Sequence, residues 1–112
     1  MSHKNFQTQT LDIDVDHADG AVVVRPRGEL DLASTPDLRA ILQEQYNKKA
    51  SVLLDLSELT FLDSSGLRLI WDTATAAKQH GLELALASGP PEVMRVFELT
   101  GLRKRLNFTD AS

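Results

Sequence analysis

Leu11, Ile13 and Val15 alternate with Asp12, Asp14 and Asp16, the period-two pattern of a strand with one face on a core and one in water. Asp19-Gly20 supplies a turn and Ala21 to Arg25 a second strand, so the chain is predicted to open with a β-hairpin. The period then becomes helical. Ser34-Thr35-Pro36-Asp37 reads as a cap with proline in the first turn, and Leu38, Ile41, Leu42 and Tyr46 recur at helical spacing to about Lys48. Val52 to Leu56 is a nearly continuous apolar run, as expected of a strand covered on both faces, and Glu58 to Leu62 reads as a short connection. Between Ser64 and His80, residues Leu67, Ile70, Trp71, Ala74 and Ala77 fall on one stripe, and Gly81 closes that helix. Leu82, Leu84 and Leu86 predict a further strand, broken by Gly89-Pro90-Pro91. Val93, Val96 and Phe97 mark a third helix ending near Gly101, and Leu106 to Phe108 a short last strand.

This order implies an α/β sandwich: a mixed sheet of four to five strands with helices packed on it and right-handed crossovers. Residues 1–10 are polar and read as a flexible leader, which leaves residues 11–112 as a single domain. Asp110-Ala111-Ser112 looks like a helix cap with no helix after it.

Composition narrows the function. A chain of 112 residues with 42% apolar and 25% charged positions can fold on its own core. The formal charge of -4 argues against a phosphate-backbone ligand, and the one basic run, Arg103-Lys104-Arg105, has only Phe108 as an aromatic neighbour, so no direct nucleic-acid contact is expected. With no cysteine, disulfide and thiolate chemistry are excluded. Met1 to Thr10 has no apolar segment of a signal peptide and no run reaches the length of a membrane span, so the expectation is a cytoplasmic protein without membrane insertion.

Enzyme readings fail on spacing, and the chain is read as a non-enzyme. An α/β-hydrolase elbow needs glycine two residues before its serine, whereas Leu62 stands before Ser64 and Asp63 before Ser65. His80 lies at the far end of the helix that Ser64 begins, roughly 24 Å away at about 1.5 Å per residue; His3 and His17 fall in the leader and beside a turn. Asp12, Asp14 and Asp16 open like a calcium loop, but His17 replaces its glycine and Val23 its final glutamate, so a solvated strand face is expected. No metal spacing or nucleotide cradle is present, and no cofactor is expected.

What remains is Asp63-Ser64-Ser65-Gly66, a helix start with two hydroxyls beside a carboxylate. One reading makes it a helix cap, with Gly66 allowing close packing. The other makes it a phosphate switch: free amides and the helix dipole tolerate an anion there, and a phosphate adds about -1.5 to -2 charges to a nearly neutral surface.

Nearly the whole chain resembles the STAS domains, in particular the bacterial anti-sigma factor antagonists. The resemblance is carried by Gly28-Glu29-Leu30-Asp31, by Asp55-Leu56-Ser57 with Phe61-Leu62-Asp63-Ser64-Ser65-Gly66-Leu67, and by Val96-Phe97-Glu98-Leu99-Thr100-Gly101-Leu102. It implies a STAS-like sandwich, with the phosphoacceptor at Ser64 and an acidic residue concerned with phosphorylation and partner contact at Asp31. The family's usual final helix has no counterpart up to Ser112. The resemblance also implies partner switching. The unphosphorylated protein binds an anti-sigma factor serine kinase, which holds ATP, and so frees the sigma factor; phosphorylation ends the contact and a serine phosphatase restores it. The partner surface is expected at the start of the second helix and the loop from Gly28 to Ser34, on Asp31, Asp63, Ser65, Gly66, Leu67 and Arg68, with Trp71 belonging more to the core. The family's other uses, as a regulatory subunit of a membrane transport ATPase or as a scaffold in a sensory complex, are the alternative.

Overall fold

The computed structural model describes residues 2–7, 10–18 and 21–109. Its elements are β1 (Ser2–Gln7), β2 (Leu11–Ala18), β3 (Ala21–Leu30), α1 (Thr35–Asn47), β4 (Val52–Asp55), β5 (Leu59–Leu62), α2 (Ser64–Gln79), β6 (Leu84–Ala87), α3 (Pro91–Leu99), a 3-10 turn (Leu102–Lys104) and β7 (Asn107–Phe108). The sheet runs β1-β2-β3-β4-β6-β7, antiparallel through β3 and parallel beyond it, with β5 also parallel to β3.

The two edges of β3 explain that layout. One edge pairs with β2 along its length; the other pairs first with β4 over Val22 to Val24, then with β5 over Gly28 to Leu30. Pro26, which has no N–H to give, sits in the gap between these two ladders. At Gly28 the register shifts and φ is +110°, and a Cβ there would collide with the carbonyl oxygen of Thr10. The bend carries Leu30 under the start of α2.

All three helices join one apolar cluster with one face of the sheet. Ile13, Val24, Leu54 and Leu86 meet Leu38 and Leu42 of α1, Leu69 and Ile70 of α2, and Phe97 of α3. The opposite face carries ion pairs. Arg25 Nε donates to Asp55 Oδ2 at 2.8 Å, Arg27 pairs with Asp14, and His3 and Asn5 of β1 reach the same Asp14 at 3.1 and 2.8 Å.

Several expectations change accordingly. The stretch 2–7, read as a flexible leader, is an edge strand paired with β2 from Ser2↔His17 to Gln7↔Asp12; its polar residues find the aspartates of β2 rather than an apolar core. The sheet has seven strands, because Leu59–Leu62 is also a strand: it continues the line of β4 along β3 after a turn in which Leu59 N–H donates to the Leu56 carbonyl. β4 is covered on one face only, so Leu53 and Asp55 are half-buried while Val52 and Leu54 are buried. Asp14 is buried by its partners rather than solvated. β6 begins at Leu84, two residues later than expected. Asp19-Gly20 and Asp110-Ala111-Ser112 lie outside the described residues.

Candidate functional site

The β3–α1 loop and the start of α2 meet at Asp63. Asp63 is the N-cap of α2, in extended backbone (φ −103°, ψ −174°), and its Oδ1 accepts from Ser65 N–H at 2.9 Å, Gly66 N–H at 3.1 Å and Ser65 Oγ at 2.5 Å. Its carboxylate also accepts from the N–H of Leu32 in the loop, and its own N–H donates to the Leu30 carbonyl. Burial alone would raise the pKa of Asp63; the hydrogen bonds from Ser65, Gly66 and Leu32 together outweigh it and hold the carboxyl below its ordinary value.

The two serines are thereby made different. Ser65 is half-buried with its hydroxyl spent on Asp63. Ser64 is exposed, and its hydroxyl has no hydrogen-bond partner among the described residues. Gly66 is a packing requirement: an added Cβ would lie 2.6 Å from Leu62 Cδ1 and 2.9 Å from Leu30 Cγ, both in the core. One expectation about this helix start is corrected. The amides of Ser65 and Gly66 are not free to hold an added anion, because Asp63 already takes them.

Asp31 braces the loop. Its Oδ1 accepts from the N–H groups of Ala33 and Ser34, and its carbonyl from those of Ser34 and Thr35. Ser34 occupies the N-cap position of α1 but does not cap it; its hydroxyl donates to the Glu29 carbonyl at 2.9 Å and accepts from Asp31 N–H at 3.0 Å. This wiring leaves Leu32 75% exposed at the tip of the loop.

Beside Ser64 runs a shallow groove of about 450 Å³ lined by Ser64, Ser65, Leu67, Arg68, Trp71 and Leu102. Leu67 is otherwise buried, Arg68 is exposed and paired with Asp72, and Trp71 is half-buried beneath the guanidinium of Arg105, 5.5 Å from its ring centre. The structure thus brings Asp31, Asp63, Ser64, Ser65, Gly66, Leu67 and Arg68 to one end of the molecule. Leu32, in the loop from Gly28 to Ser34 expected at the partner surface, lies there too, and two residues that were not singled out join them: Phe61, which is 48% exposed on β5, and Leu102. Nothing local marks Leu102, which comes from a distant turn. A separate cleft between α1 and α2, about 540 Å³, contains none of these residues. Among the described residues no group of three or more His, Asp or Glu is placed to hold a metal, and no helix is long and apolar enough to cross a membrane.

The family model of the STAS domain matches residues 12–111. The anti-sigma F factor antagonist of Paenibacillus polymyxa is 32% identical over 102 residues, covering 89% of this chain and 87% of that protein; the anti-sigma-B factor antagonist of Bacillus subtilis (strain 168) is 28% identical, covering 91% and 94%. In fold, the chain is similar to an anti-sigma factor antagonist from Mycobacterium paratuberculosis (TM-score 0.75, 24% identity, 98% and 87% coverage). It is similar as well to Bacillus SpoIIAA in its phosphorylated form (TM-score 0.68, 23% identity, 88% and 91% coverage). With a family model spanning all but the first 11 residues and the last, and a mixed sheet backed by three helices, this chain belongs to the STAS domain family.

Proposed function

We propose that this chain is a cytoplasmic anti-sigma factor antagonist, without catalytic activity of its own, whose binding is switched off by phosphorylation of Ser64. The observation that carries the reading is the division of labour at the start of α2: Asp63 and Ser65 hold the helix end, and Ser64 presents an exposed, unengaged hydroxyl at the rim of the groove. The partner is an anti-sigma factor serine kinase with ATP bound. Ser64 Oγ attacks the γ-phosphorus, the bond to the ADP oxygen breaks, and the hydroxyl proton passes to a base on the kinase. Unphosphorylated, the groove and the exposed Leu32 and Phe61 offer an apolar contact with Asp31 and Asp63 at its edge. The phosphate adds about -1.5 to -2 charges to that contact and expels the partner. A serine phosphatase returns the protein by hydrolysis, water attacking phosphorus and Ser64 Oγ leaving with a proton.

The test is a pull-down from host lysate with wild-type, Ser64→Ala and Ser64→Asp baits, together with labelling by the retained kinase. A small kinase-like ATPase held by wild type and Ser64→Ala and lost by Ser64→Asp is expected, with no label on Ser64→Ala. Equal retention by Ser64→Asp, or full labelling of Ser64→Ala, would refute the reading.

A further inference from the structure

A phosphate on Ser64 finds the amides of Ser65 and Gly66 already donating to Asp63, and of the first three amides of α2 only its own, the Ser64 N–H, is left to it. It therefore needs a cation, and Arg68 is the charged residue among those lining the groove, one turn along α2 from Ser64. Arg68 is held for the present by Asp72, Nε to Oδ2 at 3.2 Å, with the two side chains 77% and 56% exposed. That grip is weak on two grounds. Exposed pairs four residues apart contribute little, and this one runs in the less favourable order, base before acid along the helix. Helical side chains also lean toward the N-terminus, so Arg68 leans toward Ser64 and has to reach the other way for Asp72. A phosphoserine at 64 reverses both terms: acid precedes base, the arginine follows its natural lean, and a group of up to two negative charges with three acceptor oxygens competes against a single carboxylate.

We propose that phosphorylation of Ser64 draws Arg68 off Asp72 and onto the phosphate. The inference rests on Ser64 being the acceptor. The switch then has two parts: the groove gains a phosphate screened by its own arginine, and the Asp72 carboxylate is released about 12 Å farther along the helix, in the lining of the α1–α2 cleft, to which Arg39 also contributes. The phosphorylated and unphosphorylated proteins differ at both places.

The experiment uses the full chain with phosphoserine installed at position 64 by genetic encoding, so that it does not depend on any kinase, and follows the second phosphate ionisation by phosphorus NMR. Asp63, Arg68, over Trp71 Arg105, and from the β3–α1 loop Asp31 are the charged groups at this end of the molecule. A cation bound to the dianion lowers its pKa below the ordinary value of about 6. Arg68→Ala should raise it by about half a unit, Arg68→Lys should keep most of the lowering, and Asp72→Ala should leave it as low as in wild type or lower. Superimposable titrations of wild type and Arg68→Ala would overturn the proposal, as would a rise on Arg105→Ala equal to that on Arg68→Ala. A kinase that fails to label Ser64 would remove the antagonist reading while this titration still stood.

Discussion

Replacing Asp63 by alanine tests the joint on which the site is built. The variant loses an acceptor for two amides of α2, for the Ser65 hydroxyl and for the Leu32 N–H that ties the loop to the helix. An N-cap is worth about 0.5–2 kcal/mol; with the loop contact added, the upper end applies, about 2 kcal/mol. For a domain of this length that lowers Tm by about 8–10 °C, at about 4–5 °C per kcal/mol. The effect has a pH signature. The folded-state pKa of Asp63 is depressed, so its contribution is fully present above the unfolded value of about 3.9 and is lost as pH falls through the lower folded value. Circular-dichroism melts of wild type, Asp63→Ala and Asp63→Asn at pH 7 and through the acid range should therefore show a gap between wild type and Asp63→Ala that narrows below about pH 4. Asn, which keeps an acceptor oxygen, should recover more than half of the loss at pH 7. The reasoning fails if Asp63→Ala melts within about 2 °C of wild type at pH 7, or if the gap is undiminished in acid.

Gly66→Ala should also destabilise: overpacking against Leu62 and Leu30 costs about 1–3 kcal/mol, against about 1 kcal/mol of gained helix propensity, for a net fall in Tm of about 5 °C. A variant more stable than wild type would show that the leucines yield freely. Tyr46 is the one tyrosine in the chain, half-buried against α2 with its hydroxyl donating to the Thr73 carbonyl at 2.7 Å, and the partial burial pushes its pKa up to about 12. Ultraviolet titration should accordingly show no tyrosinate at the ordinary midpoint of about 10; a transition there would mean that the α1–α2 contact is open.

Much of the architecture could be read from local pattern. The stripes Leu38, Ile41, Leu42 and Leu67, Ile70, Ala77 became the buried faces of α1 and α2, and Gly81 and Gly101 have the positive φ of helix ends. β1 and β5 were not legible. His3, Lys4 and Asn5 of β1 are exposed, with His3 and Asn5 bonded to aspartates of β2, and Leu59–Leu62 is too short to declare a period. β4 misled for a related reason: a continuous apolar run reads as two covered faces, but the far face is occupied by the Arg25–Asp55 pair rather than by a helix. At the site, the Asp63-Ser64-Ser65-Gly66 tetrad stood out at once, yet the cap and the switch could not be separated there.

By itself, the amino-acid sequence determined that an α/β fold would form, where its helices begin and end, and that an acidic, doubly hydroxylated turn would start α2. Those features depend on neighbours within one or two turns, through capping, glycine geometry and the periodic burial of apolar side chains. Tertiary structure alone decided which serine is tied and which is free, that Leu32 reaches Asp63 from another loop, and that Leu102 completes the groove. The last two are contacts between segments far apart in the chain; the first joins neighbours, but Asp63 could hold either hydroxyl, and a hydrogen bond is assigned only when donor and acceptor are brought within about 3 Å, which no local pattern specifies.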